Sequence, residues 1–183
     1  MKRPQYGLLN RFTVLMSVLL ISNILLAQSV WKNFTESNSG LPGMTIREID
    51  IDEEGNLWVG SFSGGIAQYD GIDWKIFNKE NSGLPNNFVN TVEIDNNGKK
   101  WIGTDGGGLS AFDGENWKNY NNKNSGLPSN VIMDILCDDD NNIWVATYFG
   151  GLAKFDGTNW KTYTTENSDI PTNKIVALAA DQY

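Results

Sequence analysis

The chain has 183 residues, 40% hydrophobic and 20% charged, with no long polar or low-complexity tract, which excludes a disordered or fibrous protein. Fourteen basic residues against 22 acidic ones give a net charge of −8, the wrong field for a nucleic-acid backbone. Histidine is absent, which excludes Ser-His-Asp and Cys-His catalysis and His-metal sites, and the single Cys137 excludes an internal disulfide.

The first element is a leader. Lys2, Arg3 and Arg11 precede an apolar run from Phe12 to Ala27. A basic segment, a short apolar core and a small residue at the junction read as a secretory signal peptide over residues 1–27, cut near Ala27–Gln28. The run is shorter than the ~20 residues needed to span a bilayer and contains Ser17, Ser22 and Asn23, so a membrane anchor is the poorer reading. The expected location is exported, periplasmic or extracellular, with no stable span in the mature segment. Losing three basic residues would leave 11 − 22 = −11.

From residue 28 onward the chain repeats. "NSGLP" occurs at 38–42, 81–85 and 124–128, with a relaxed "NSDIP" at 167–171, always 43 residues apart. Trp31, Trp74, Trp117 and Trp160 keep the same interval, as do Trp58, Trp101 and Trp144. The repeats run over about 31–73, 74–116 and 117–159, with a partial copy at 160–183.

Each unit divides into four strands. In the second, "FVNTVEI", "KKWIGT", "LSAF" and "WKNY" are separated by "DNNG", "DGGG" and "DGEN". Short runs rich in Val, Ile and aromatics, bounded by Asn, Asp and Gly, form a meander, and four strands per 43 residues is the period of a propeller blade. The fold class is therefore all-β: three four-stranded antiparallel blades with partial strands at each end, an open arc or a fragment of a larger, seven-bladed propeller. "WKNF" at 31–34 reads as an outermost strand without a blade of its own. "NSGLP" reads as the link between blades, its Leu plugging the gap between stacked sheets.

The turns account for the repeated small residues. Asp52, Asp95 and Asp138 can accept backbone N–H groups two residues on, and the fourth turn position, Gly55, Gly98 or Asn141, can take a left-handed conformation. The pairs Gly64–Gly65, Gly107–Gly108 and Gly150–Gly151 serve the next hairpin in the same way. Cys137 falls in an apolar slot occupied elsewhere by Ile or Ala and reads as a small core residue.

These residues resemble the bacterial two-component regulator propeller repeat, found in exported sensor regions of hybrid histidine kinases. The second unit carries the pattern at Leu84, Pro85, Val89, Asp95, Gly98, Trp101, Ile102, Gly103, Thr104, Gly107, Gly108, Leu109, Phe112 and Asp113. The third departs at Asn141 and Ala146, and the first has Ser61 for the Thr. The resemblance implies a non-catalytic sensory module that in its relatives has many more repeats, then a membrane helix and a kinase. A piece of such a protein is the expectation here; several chains completing a ring, through edge-to-edge association of open blades, is the alternative.

Chemistry-bearing residues are few. Most carboxylates recur in every unit as turn residues, so a special catalytic pair is not expected and the chain reads as no enzyme. The acidic loops at 50–55 and 137–142 offer clustered oxygens for calcium, but the first lacks the closing Glu of an EF-hand, with Ser61 in its place, and no metal, cofactor or catalytic residue is assigned. The links and the second hairpin turns share one face of the blades, and there the pattern breaks: Phe62–Ser63, Asp105–Gly106 and Tyr148–Phe149 do not repeat. Phe62, Asp105, Tyr148 and Phe149 are the ligand-facing candidates, for a small molecule, a glycan or a protein. The repeated Trp residues read as packing rather than a sugar platform. A surface interaction scaffold and a carbohydrate-active enzyme fragment are the competing functional readings.

Overall fold

The computed structural model describes residues 31–181, so the leader lies outside the described residues. The body that carries the fold begins at Phe34. It contains twelve strands among the described residues: β1 (Ile46–Ile51), β2 (Leu57–Ser61), β3 (Gly65–Tyr69), β4 (Trp74–Phe77), β5 (Val89–Ile94), β6 (Lys100–Thr104), β7 (Gly108–Phe112), β8 (Trp117–Tyr120), β9 (Ile132–Cys137), β10 (Ile143–Thr147), β11 (Gly151–Phe155) and β12 (Trp160–Tyr163). They form three four-stranded antiparallel meanders in chain order: blade 1 is β1–β4, blade 2 is β5–β8 and blade 3 is β9–β12. The first strands β1, β5 and β9 lie against one another, which makes them the inner edge of the stack.

The all-β, propeller-type architecture expected from the repeat is the one observed. The expected partial strands differ: residues 31–34 and 174–181 form no strand. Residues 174–181 are held instead by isolated bonds to blade 3, from Ile175 N–H to the Thr147 carbonyl and from Leu178 N–H to Asp134 Oδ2. A strand needs a ladder of backbone bonds, which isolated bonds do not make.

Two apolar clusters fill the spaces between blades. Between blades 1 and 2, Trp58, Ile66 and Phe77 meet Val89, Val92, Ile102 and Phe112, closed by Leu84. Between blades 2 and 3, Trp101, Leu109 and Tyr120 meet Ile132, Ile135, Val145 and Phe155, closed by Leu127. Each fully buried side chain of this size contributes about 1.5–3 kcal/mol, so these two interfaces dominate stability. Leu84 and Leu127 are 2% exposed and belong to the links, confirming the plug.

The rest of "NSGLP" is equally occupied. Asn81 Oδ1 accepts the Asn78 N–H and its amide donates to the Ile76 carbonyl; Asn124 does the same with Asn121 and Asn119. Ser82 and Ser125 donate to the Asn78 and Asn121 carbonyls. A Cβ on Gly83 or Gly126 would lie 2.4 or 2.3 Å from the Cβ of Trp117 or Trp160. Those outer tryptophans also stack on Phe112 and Phe155, at 4.5 and 4.7 Å between centroids. Trp117 and Trp160 are packing residues, as expected, whereas Trp31, read the same way, is 97% exposed.

The paired glycines have two different reasons rather than one. Gly108 has φ +88°, a left-handed conformation. Gly107 does not; a Cβ there would meet Thr104 Oγ1 at 2.7 Å and Asn86 Cβ at 2.8 Å, so it is small because the link into blade 2 crosses over it.

Candidate functional site

The strand alternation divides the turns between two faces. On the lower face lie the first and third turns of each blade. Asp95 Oδ1 accepts the N–H groups of Asn97 and Lys99, and its Oδ2 accepts the Trp101 indole N–H at 2.9 Å. Asp52 and Asp138 repeat the bond to Trp58 and Trp144 at 2.8 Å and bond the backbone four residues on, at Asn56 and Asn142. The sequence reading gave these aspartates a bond two residues on; only Asp95 makes one, and the indole was missed. The six-residue spacing from Asp to Trp, kept in all three units, was the available signal. Burial pushes Asp52 up, but the indole, Asn56 and Lys100 outweigh it and hold the carboxyl below its usual range. The left-handed fourth position is as expected: φ is +84° at Gly55, +75° at Gly98 and +61° at Asn141.

This usage bears on both acidic loops considered for calcium. Asp52 and Asp138 accept bonds from the protein and pair with Lys100 and Lys154 at 3.5 and 3.7 Å. Asp50 accepts the N–H groups of Ile51 and Ile94. Their oxygens are spent on the fold. Among the described residues no group of three or more metal-ligating side chains comes together.

A second set of carboxylates was missed by the sequence reading, which found none outside the turns in a common place. Asp50, Glu93 and Asp134 on β1, β5 and β9 each accept a backbone N–H 44 residues on, from Ile94, Cys137 and Leu178, at 2.8, 2.8 and 2.6 Å, the first two from the following blade and the third from the segment after blade 3. Glu48 likewise accepts the Val92 N–H. Burial, followed by the like charges of Asp50, Glu48 and Asp134, raises Glu93 to about 7. Glu48, Asp50 and Glu93 clamp inner strand to inner strand, and Asp134 holds the segment after blade 3. Each is engaged by backbone, which is a structural role rather than that of a free acid–base pair.

The upper face carries the four candidates, and each leans on the segment that follows its own blade. Phe62 packs on Phe88, with ring centroids 5.2 Å apart, and the Arg47 guanidinium lies 4.6 Å over it. Asp105 bridges to Val131, and its carbonyl accepts the Asn86 amide. Tyr148 and Phe149 pack together at 4.3 Å, with the Lys174 ammonium 4.7 Å over Tyr148. The candidates therefore do not meet in one pocket; they lie one blade apart. Phe88, Val131 and Lys174, which share one register and also fail to repeat, belong with them. Breaks in the 43-residue pattern three residues after Pro85, Pro128 and Pro171 were the signal for those three.

Four exposed apolar side chains lie on this face, and others, such as Ile72 at 84%, lie elsewhere. Met44, Phe88, Phe149 and Val176 are 60, 45, 68 and 55% exposed. Phe149 also has φ +66°, a left-handed conformation at a site where the second unit uses Gly106, φ +92°. For a bulky residue that is a genuine outlier costing on the order of 1 kcal/mol. The described clefts lie elsewhere. One of about 330 Å³ opens below, between blades 2 and 3, beside Asp95, Trp101, Tyr120 and Phe155. Another of about 570 Å³ lies between blade 3 and residues 178–181.

Residues 40–63 and 126–149 each match the two-component regulator propeller family. Among solved structures, the extracellular domain of a hybrid two-component system from B. thetaiotaomicron superposes with a TM-score of 0.72 at 28% identity, covering 84% of this chain and 21% of that one. PorZ, a surface component of the type-IX secretion system of Porphyromonas gingivalis, gives 0.60 at 21% identity, covering 84% and 25%. YCF48, solved with a D1 peptide, gives 0.51 at 18% identity, covering 72% and 42%. The last two share the fold alone. The chain thus spans about a fifth to a quarter of the length of the first two. No curated protein matches it significantly. Among the described residues no helix is long and apolar enough to cross a membrane.

Proposed function

We propose that this chain is a non-catalytic recognition segment of an exported sensor, and that its upper face, around Phe62, Asp105, Tyr148 and Phe149, is where it meets a ligand or partner. The observation that carries this reading is Phe149. A phenylalanine held left-handed and 68% exposed gains little from burial, and it stands where the second unit uses glycine. Strain kept at an exposed aromatic is a mark of a binding position. Lys174 and Tyr148 beside it supply a cation and a second ring. The structural relative that is the extracellular domain of a hybrid two-component system supports the same reading.

Catalysis is the weaker reading because the lower-face aspartates and the inner-strand acids accept bonds that the fold requires. A surface scaffold shares the recognition chemistry and differs in what the face holds. Binding of the chain to a panel of glycans and peptides tests the proposal. Phe62→Ala, Tyr148→Ala and Phe149→Gly are expected to weaken a detected binder at least tenfold. A binder indifferent to all three would place recognition elsewhere.

A further inference from the structure

Each inner strand carries the same irregularity. In blade 1, Ile46 faces Ser61 and Glu48 faces Gly60, which leaves Arg47 without a partner across the ladder. In blade 2, Val89 faces Thr104 and Thr91 faces Gly103, leaving out Asn90. In blade 3, Ile132 faces Thr147 and Asp134 faces Ala146, leaving out Met133. An extra residue of this kind bends its strand and re-aims one side chain. The bulge recurs every 43 residues, but the residue on it changes from Arg to Asn to Met. Its neighbours, Ile46, Val89 and Ile132, stay apolar and in register. The frame is constant and its cargo is not.

In blade 1 the re-aimed residue reaches the upper face. Arg47 is exposed and lies 4.6 Å over the Phe62 ring, which packs in turn on Phe88. Among the described residues no carboxylate lies within 4.0 Å of it, although acidic residues outnumber basic ones. It is the sole arginine beyond Arg11. A guanidinium held over an aromatic face can keep its edge N–H groups directed outward, in the fork that matches a carboxylate. Asn90, by contrast, donates its amide to the Ile132 carbonyl of the next blade.

We propose that Arg47 and the Phe62–Phe88 pair form a carboxylate-selecting subsite, in which the ligand's acid group pairs with the guanidinium and its ring or apolar face lies on the phenylalanines. The bulge positions are then the specificity-determining positions of the blades. This rests on the upper face being the recognition face.

Tetragalacturonate and its methyl ester, which share a ring skeleton and differ in charge, separate the two ideas. Each is titrated into the full chain by calorimetry and by NMR, following the Arg47 Nε–Hε signal, assigned by its loss in Arg47→Gln. The free acid is expected to shift that signal and to bind at least tenfold tighter than the ester. Arg47→Gln should erase the preference and Arg47→Lys should restore part of it. An ester that binds as well as the acid, or a preference that survives Arg47→Gln, overturns the subsite. If Phe149→Gly still weakens both probes, the upper face keeps its role. If no upper-face substitution matters, that role falls too. Absence of acid binding at 10 mM also overturns the subsite.

Discussion

Asp95 and Asp105 flank one strand, β6, and illustrate the two faces of the molecule. At the lower end, Asp95 is 5% exposed and takes three hydrogen bonds, two from backbone and one from the Trp101 indole. At the upper end, Asp105 is half-buried and fixed through its backbone, with its N–H on the Phe88 carbonyl and its carbonyl on the Asn86 amide. The lower aspartate recurs in every unit; the upper one stands where the others have Phe62 and Tyr148. Side chains that satisfy the fold are copied with it. Side chains the fold does not need are free to differ, and that freedom is where binding can be specified.

The largest effect that can break this contrast is the loss of Asp95. Asp95→Ala strands two backbone N–H groups and a buried indole, and is expected to cost about 3–5 kcal/mol in urea unfolding. A loss below 1 kcal/mol would mean that the lower turns do not hold the blades, and the division of faces would fail.

Next comes the inner edge, through pH. Glu93 is raised from its ordinary 4.5 to about 7 by burial and by Asp50, Glu48 and Asp134. In that window the folded state binds more protons than the unfolded one, so stability falls as pH rises from 4.5 to 7 and is regained on acidification. Glu48, also raised, acts in the same direction. Asp52 and Asp138 are lowered and act oppositely, losing their contribution only as pH drops below the usual aspartate range. Thermal unfolding should therefore be highest near pH 4.5–5 and lower at pH 8, by on the order of 1–2 kcal/mol once solvent screening is allowed for. Glu93→Gln keeps an acceptor for the Cys137 N–H and should flatten much of that dependence while raising stability at pH 8. An unchanged pH profile in the variant would remove Glu93 from the clamp.

How much of this was legible follows from what repeats. The blade, its turns, the plugging Leu84 and the packing tryptophans could be read because each solves a problem that recurs every 43 residues. The inner carboxylates could not: Glu48, Thr91 and Asp134 share a position, as do Asp50, Glu93 and Leu136, so the pattern is broken in sequence and visible only where strands from successive blades meet. The indole bond was hidden differently, since Asp and Trp are adjacent only once the hairpin between them closes. On the upper face the broken register pointed to Phe62, Asp105, Tyr148 and Phe149, but not to their partners on the links, which lie 26 residues further along the chain in each blade.

A smaller effect, of opposite sign, belongs to the upper face. Phe149→Gly relieves the left-handed strain and loses some chain entropy in return, for a net gain of up to about 1 kcal/mol in unfolding free energy. A substitution that stabilises while it weakens binding would show that the phenylalanine is kept for contact. Destabilisation beyond 1 kcal/mol would instead make Phe149 a packing residue.

The smallest expected effect is the sharpest, because it pits two aspartates on one strand against each other. Asp105→Asn removes a charge and keeps the shape. Among the described residues its carboxylate accepts no hydrogen bond, and the backbone bonds to Phe88 and Asn86 persist whatever the side chain. Its unfolding free energy should stay within about 0.5 kcal/mol of the parent, the range of surface substitutions away from structural features. Asp95→Asn, the same chemical change ten positions earlier, replaces an acceptor of three bonds with an amide that can accept through one oxygen alone, and should cost several times more. Equal losses at the two sites would mean that the upper aspartate also holds the blade, and that the break in the repeat at Asp105 reflects packing rather than freedom to bind.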